Sequence, residues 1–392
     1  MYVADPAALQ HLAELLRPAL ARDPRLALDT EFIRERTYSP VLETVQVAAA
    51  NGEVVAVVDV PALRGDLGPL GEMLLDPSLL KIFHAGSQDL EILGGRLGAL
   101  PAPVFDTQVA AAFAGFGAQT GYGALVQALL NVRLSKEEGF ADWSRRPLSP
   151  ALLAYAENDV RYLHALHDKL TRMLDERGRT AWAEEQMERL LGGVLDEIAP
   201  SDLWRKVGGR NALDGRGLAV LRELAIWRDE EARRRDKPRR TTMKDEALVE
   251  IARRAPQTAE AVLALRGIPN SLGRHAAEAL AERVGRGLAV PERDRPRREA
   301  PAPLDEVGVT LVELLSAVVH ARALEEELPP SLLATQDDLR ALAAGRDRPR
   351  FDGPLFTGWR GEIIGSAFRG VLAGSLAVGW DTERGRLRLI DV

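Results

Sequence analysis

The chain of 392 residues contains no cysteine. That absence excludes a disulfide framework and any zinc site built on thiolates, and it suits a reducing compartment. A secretory signal is not expected either, since MYVADPAALQHLAELL has no basic start followed by an apolar core. A cytoplasmic protein is therefore expected. Long runs without charge are scarce. The exception, Thr107 to Val132, exceeds the length a bilayer span requires. Gly115, Gly117, Gly121 and Gly123 interrupt it, with Gln108, Gln119, Gln127 and Asn131, so two buried helices joined by a glycine loop explain it better than a membrane span. Those glycines imitate a nucleotide-binding fingerprint, but no strand precedes them and that reading fails.

An excess of positive charge is missing as well: the net charge is −7. It is unevenly divided. Residues 200–300 hold 23 Lys and Arg against 16 Asp and Glu, which leaves 28 against 42 for the rest of the chain. A basic module is thus carried on an acidic body. Local positive charge is all that backbone contact with a nucleic acid needs. A solvated helical surface would give the same count. The hydrophobic fraction of 46% and charged fraction of 28% are ordinary for a globular protein, and the length allows two or three domains.

Three short stretches carry the chemistry. In LALDTEF an apolar run ends abruptly on Asp29 and Glu31, which share one face of a strand because side chains alternate. In FHAGSQDLEIL, Asp89 follows a strand-like run and the small-residue turn Ala85-Gly86-Ser87. In YAENDVRYL, Tyr155 and Asp159 stand at i and i+4 of a helix, one above the other. Four carboxylates gathered by folding repel one another unless cations lie between them. Oxygen-only donors suit hard cations such as Mg²⁺ or Mn²⁺, and paired ions are the usual apparatus for phosphodiester hydrolysis. Alone, a DxE after a strand is more often a surface or capping feature than a metal site.

The pattern along the chain divides it. Leu26–Phe32, Thr44–Ala50 and Val54–Val60 read as strands, with Asn51-Gly52 as a hairpin turn between the last two. Leu79–Phe83 and Pro103–Phe105 then alternate with helical segments around 66–75, 87–97, 107–114 and 121–130, which predicts a mixed sheet covered by helices. A helical run from Pro150 reaches about residue 192, broken near Arg177-Gly178-Arg179. Residues 198–286 read as all-helical, with a long helix from Asp214 to Arg235. Residues 287–304, rich in Pro and Arg, read as an extended linker. Residues 305–392 start with a helix over 307–327, continue through Pro329-Pro330 and a helix over Gly358–Leu372, and end in a β-hairpin.

Taken in order, DTEF, HAGSQDLE and YAENDV resemble the three motifs of the DEDD 3′→5′ exonucleases that carry a tyrosine in the third. The connecting phrases Arg36-Thr37-Tyr38-Ser39-Pro40, Asp106-Thr107-Gln108 and Asp142-Trp143 with Arg146-Pro147-Leu148 are similar to the ribonuclease D family. The resemblance covers residues 5 to 285 well and the last ninety more loosely. It implies a ribonuclease H-like α/β domain over 1–195 and a helical, nucleic-acid-binding HRDC domain over 198–286. It further implies a second, diverged HRDC-like unit over 305–392, from which the terminal hairpin departs. It implies a 3′→5′ exoribonuclease acting on structured RNAs such as tRNA precursors, with two Mg²⁺ or Mn²⁺ ions; no membrane association and a monomer are expected. In that family's roles Asp29 bridges both ions, Glu31 and Asp159 complete the first, Asp89 holds the second, and Tyr155 orients the attacking water.

Weaker candidates stand beside these. His84 opens the second motif and is a candidate substrate contact, although a histidine closing a strand usually bonds to backbone. Arg36 and Tyr38 lie just beyond the first motif and are candidates for the RNA backbone. Arg233, Arg234, Arg239 and Arg240 form the best basic cluster for phosphates, and Trp204 beside Arg205-Lys206 is a stacking candidate. Asp106 reads as a helix cap or a support for the site. His164 and His167 suggest a helical metal pair but point away from the Tyr155 and Asp159 face, so a structural role is expected. Two rival readings stay open: a 3′→5′ DNA exonuclease acting on single-stranded DNA, and a nucleic-acid-binding scaffold on an inactive nuclease fold.

Overall fold

The computed structural model describes residues 1–134, 141–196, 198–269, 271–297 and 304–392. They fold as two compact units: Met1–Glu31, Leu42–Leu195 and Pro301–Val392 form the first, and Phe32–Val41 with Asp196–Ala300 form the second.

The first unit is built on a six-stranded mixed sheet, β1 (Tyr2–Val3), β2 (Arg25–Ile33), β3 (Val41–Ala49), β4 (Val54–Asp59), β5 (Leu80–Phe83) and β6 (Val104–Asp106), in the order β1-β4-β3-β2-β5-β6. The β3–β4 hairpin is antiparallel and closes through Asn51 and Gly52, both at positive φ, which is why that dipeptide suits the turn. Strands β2, β5 and β6 run parallel, so the turns that leave them open at one edge of the sheet. Helices α1 (Pro6–Arg22), α2 (Gly68–Leu75), α3 (Ser87–Leu97), α4 (Thr107–Phe113), α5 (Tyr122–Leu130), α6 (Pro150–Arg161), α7 (Leu163–Glu176) and α8 (Thr180–Leu191) accompany it. The uncharged stretch is thus two helices, α4 and α5, around a glycine loop. Helix α6 begins where Ser149 caps the Leu152 N–H at 3.2 Å and Pro150 supplies a pre-set φ.

The C-terminal segment is not a separate domain. Leu315, Val318, Trp359, Ile364 and Phe368 share one core with Phe113 of α4, Leu166 and Leu170 of α7 and Met187 of α8. The Trp359 ring meets Phe113 edge-on at 5.0 Å and stacks on Trp182 at 5.9 Å. Arg179, buried at the break between α7 and α8, donates to the carbonyls of Phe113 and Glu326 and so ties both parts together. Apolar area is what decides this: the outer face of α4, α7 and α8 is left unburied unless residues beyond 304 cover it. The expected helix over 358–372 is interrupted by a single π-helical turn at Gly361–Gly365, where both glycines lie against the Phe356 backbone. The terminal hairpin, Leu376–Asp381 with Arg386–Asp391, forms as expected. Among the described residues one helix, Glu306–Glu325, is long and apolar enough by length and composition to cross a membrane, yet Leu315, Val318, Val319 and Ala323 are buried in this core.

The second unit is helical: α9 (Gly215–Arg235), α10 (Arg239–Thr242), α11 (Asp245–Arg254), α12 (Ala259–Leu263) and α13 (Arg274–Leu288), preceded by a 3₁₀ turn at Pro200–Lys206. Its core gathers Leu221, Leu224 and Trp227 of α9 with Leu248, Ile251 and Leu280. A buried ion pair joins Arg228 to Asp245 at 2.6 Å, and Asp245 also accepts the Gly208 N–H. The presumed linker is shorter than its composition suggests. Helix α13 runs to Leu288, Glu292–Asp294 forms a turn, and Arg295 and Pro296 lie against Gly215 at the start of α9. Residues 298–303 of that linker lie outside the described residues.

Candidate active site

Asp29 and Glu31 project from β2, and Asp159 from α6, so that one carboxylate oxygen from each lies within 4.8 Å of the others. No other such cluster of His, Asp or Glu occurs among the described residues. Asp89 sits in the first turn of α3, where the helix N-terminus favours negative charge. Its Oδ1 accepts the Thr30 hydroxyl, which fixes it beside β2.

The turn that delivers Asp89 is over-determined. Ala85 takes a left-handed φ of 57°, and a Cβ on Gly86 would stand 2.5 Å from the Phe83 Cβ. Asp106, at the end of β6, accepts the N–H groups of Ala85 at 3.1 Å and Gly86 at 2.9 Å while also capping α4 through Gln108 and Val109. Asp106 is therefore both helix cap and support for the second motif.

Every carboxylate of the group is harder to ionise than usual. Burial pushes Asp29 far up, and the charges of Asp89, Asp159 and Glu31 add to it. Glu31 is pushed to about 8 by burial and then by Asp159 and Asp89, Asp159 to about 7 by burial, and Asp89 is raised by burial against its bond from Thr30. Such a group holds its charge only beside cations, and a donor set of carboxylate oxygens alone fits hard divalent ions.

Tyr155 lies one turn before Asp159, and its ring packs on Trp143 at 6.2 Å. Burial, with Asp159, Glu31 and Asp29 nearby, raises its phenol further above the ordinary range, so it stays protonated. Its hydroxyl has no protein partner among the described residues. Trp143 is held by a network that sequence reading did not single out: Arg146 donates to the Trp143 carbonyl, to Asp59 and, at 3.2 Å, to Glu43, while Tyr2 donates to Asp59.

Tyr122 was also missed as a site residue. Its hydroxyl donates to the Asn158 carbonyl at 2.7 Å and accepts the Tyr162 N–H at 3.2 Å. Those two groups would bond each other in an unbroken helix. The phenol is inserted into the ladder between α6 and α7, one residue from Asp159. A lone tyrosine in a glycine-rich stretch gives no sequence signal of this. His84 packs on the Tyr122 ring at 5.6 Å and bonds the Thr107 hydroxyl at 2.9 Å, and burial lowers its pKa. His164 donates its Nε2–H to the Arg25 carbonyl at 3.1 Å and His167 lies on Arg25 and Phe105, so both are structural.

The comparisons with known proteins agree with this geometry. Residues 2–175 match the 3′-5′ exonuclease family and residues 217–284 match the HRDC domain. The chain is 39% identical over 374 residues to ribonuclease D of Granulibacter bethesdensis, covering 94% of this chain and 92% of that one. The chain belongs to the ribonuclease D family. It is a 3′→5′ exoribonuclease. Ribonuclease D of Acidiphilium cryptum is 38% identical over 375 residues, covering 95% of this chain and 93% of that one. The crystal structure of Escherichia coli RNase D, described as an exoribonuclease involved in structured RNA processing, superposes with a TM-score of 0.81 at 30% identity over 95% of this chain and 98% of that one. The catalytic core of RRP6 from Trypanosoma brucei, at 22% identity and a TM-score of 0.58 over 73% of this chain and 79% of that one, shares the fold. Membership of the ribonuclease D family implies a divalent metal cofactor.

The second unit places the candidate RNA contacts differently from their sequence reading. The Tyr38 hydroxyl donates to Asp229 at 2.8 Å, and the guanidinium groups of Arg233 and Arg239 rest on its ring at 4.9 and 4.8 Å. Arg233 and Arg239 are in turn paired with Asp229. Tyr38, Arg233 and Arg239 thus hold one another, and the backbone of Arg36 and Tyr38 is bound by Lys237 and Asp236. Arg234 pairs with Glu231, while Arg240 is largely exposed and stands 4.0 Å from Asp245. Trp204 is a core residue, buried among the α9 leucines with Arg205 over its ring, and is not an open stacking face.

Proposed function

We propose that the chain shortens the 3′ ends of structured RNAs, such as tRNA precursors, by two-metal-ion phosphodiester hydrolysis. The convergence of Asp29, Glu31 and Asp159 within 4.8 Å, beside Asp89 and near a Tyr155 hydroxyl with no partner among the described residues, carries the reading. Asp29, Glu31 and Asp159 would hold one Mg²⁺ or Mn²⁺, and Asp29 with Asp89 a second. Bound there, the ions supply an acidified water and stabilise charge on the phosphate and the departing oxygen. The protein's own work is positioning. The protonated Tyr155 hydroxyl, held by Trp143, orients the attacking water at the terminal phosphorus. The water oxygen bonds to phosphorus and gives up a proton, the bond to the penultimate ribose O3′ breaks, that O3′ takes up a proton, and a nucleoside 5′-monophosphate leaves.

Of the outer contacts, Arg240 and Arg234 are assigned to phosphates, because both side chains are more than two-thirds exposed. Arg36, Tyr38, Arg233 and Arg239 are assigned to shaping the segment that follows the first motif, and His84 to the neighbourhood of the substrate through Tyr122. All carboxylates come from one chain, which supports a working monomer, and a cytoplasmic setting matches RNA as substrate. An intact set of acids with Tyr155 speaks against an inactive scaffold.

The deciding assay incubates 3′-labelled single strands of RNA and of DNA with the protein, with and without Mg²⁺ or Mn²⁺. Stepwise, metal-dependent release of label from RNA in preference to DNA is expected. Faster release from DNA would favour the DNA exonuclease, and no release from either would favour the scaffold.

A further inference from the structure

The positive charge of the second unit is mostly spent internally. Arg253 and Arg254 pair with Glu250, Arg274 with Glu260 and Glu278, Arg283 with Glu223 and Glu230, and Arg286 with Glu282, besides the pairs already described. Such pairs leave little net field for a polyanion. Of the arginines that remain, which include Arg216 and Arg266, two share a cleft. Arg222, on α9, is half-buried and has neither an ion pair nor a hydrogen bond among the described residues. Arg297, exposed beyond α13, has none either. Both line one cleft of about 280 Å³, together with Trp204, Arg205, Asp202 and Asp294.

The charges in this cleft can be counted by partner. Asp202 is taken by Arg205 at 2.7 Å and Asp294 by Arg293 at 3.5 Å. Arg222 and Arg297 are left to face the opening. A half-buried guanidinium with no acceptor has lost part of its hydration and gained nothing for it, which is the condition a ligand oxygen relieves. With both carboxylates matched in this way, the guanidinium groups of Arg222 and Arg297 remain uncompensated among the described residues. Two guanidinium groups at one opening suit a phosphate, whose two free oxygens each accept from one of them. The volume lies at the lower end of small-molecule sites and has room for a phosphate with its sugar. Arg205, spread over Trp204 at 5.1 Å, closes one wall with a flat cationic surface of the kind that RNA sugars and bases pack against.

We propose that this cleft in the second unit is a subsite for a backbone phosphate of the RNA substrate, bound by Arg222 and Arg297 with Arg205 as its wall. The proposal rests on the exoribonuclease reading and names where the basic module meets its substrate. It replaces the Arg233 and Arg239 cluster, which is occupied by Tyr38 and Asp229, as the main phosphate contact of this unit.

The test is binding of a 5′-fluorescent single-stranded RNA to the full chain by anisotropy, in chelator so that no strand is cut, across a potassium chloride series. Each single-strand phosphate contact adds roughly 0.7 to the slope of log affinity against log salt. Arg222→Ala and Arg297→Ala should each flatten the slope by about that amount, and the double variant by about twice it. Arg222→Lys, which keeps the charge, should keep the parent slope. Arg297 is exposed, so its variant reads the cleft even where Arg222→Ala perturbs folding. Equal slopes in the parent and both alanine variants would overturn the subsite. A parent chain that cuts RNA while the slopes are equal overturns the subsite alone, whereas a parent that neither binds nor cuts RNA overturns the reading beneath it.

Discussion

Asp29 is the residue on which the proposed site depends most, since it is buried within the cluster and its carboxyl is raised by burial and then by all three of the other acids, Asp89, Asp159 and Glu31. Replacing it by Asn removes charge from both proposed ions while the buried run Leu26–Leu28 behind it is unchanged. Asp29→Asn should cost about 4 kcal/mol of transition-state stabilisation, roughly a thousandfold in rate, with the melting curve preserved or raised. Single-turnover hydrolysis at matched metal concentration checks it, and near-parental turnover would defeat the two-ion assignment. Tyr155 acts differently. A hydroxyl that only orients water should, when lost in Tyr155→Phe, lower kcat by roughly a hundredfold and leave KM for RNA nearly unchanged. A rise in KM with kcat intact would make it a substrate contact instead.

At the scale of elements, the site depends on how β2, α3 and α6 are aimed. Tyr122 reaches from α5 into the junction of α6 and α7, and the ladder there is open because its hydroxyl satisfies both Asn158 and Tyr162. In Tyr122→Phe the two backbone groups can rejoin, the α6 end straightens, and Asp159 moves relative to Asp29 and Glu31. The expected result is a fall in kcat of about tenfold together with a higher metal concentration for half-maximal activity, because ligand geometry is disturbed and substrate contacts are not. A variant with reduced stability but the parent's metal dependence would show that Tyr122 only packs.

For the whole molecule two expectations follow. The C-terminal segment completes the core of the first unit, so a fragment ending near Leu195 would expose Phe113, Leu166 and Met187 and should not fold as an independent nuclease. Trp359→Ala, which empties the contact between Phe113 and Trp182, should cost about 3–5 kcal/mol. Thermal unfolding would show this as a fall on the order of 10 °C. The second expectation concerns protons. Glu31, Asp159, Asp29 and Asp89 all have folded-state pKa values above their unfolded ones. A raised carboxyl pKa means that the folded state binds more protons, so this contribution is present below the unfolded values and is lost as pH rises towards about 8. The metal-free protein should therefore melt progressively lower between pH 5 and about 8, and Mg²⁺ or Mn²⁺ should restore the loss most at the upper end. Melting temperatures in chelator and in metal across that range measure it. A metal-free curve that rises with pH would contradict the buried carboxylate cluster.

The sequence by itself determined five of the six sheet strands, all but the two-residue β1, together with the Asn51-Gly52 hairpin, the helix over 215–235 and the order of the three motifs. Each is a local pattern, an alternation, a turn dipeptide or an i, i+4 spacing, and local patterns are written in consecutive residues. It also placed Asp29, Glu31, Asp89, Tyr155 and Asp159 on the right elements, because strand and helix periods fix which side chains share a face. Only the tertiary structure decided how Arg233, Arg239 and Tyr38 are used, since an arginine in a basic run looks the same whether it is paired with a distant aspartate or facing solvent. The role of Tyr122 and the bonds of Arg146 to Asp59 and Glu43 were illegible for the same reason: the partners lie 36 residues away for the first and 87 or more for the second. The fate of residues 304–392 was decided there too. Composition shows that such a segment has apolar area to bury, but which surface it covers depends on the face that α4, α7 and α8 leave open once the sheet has formed.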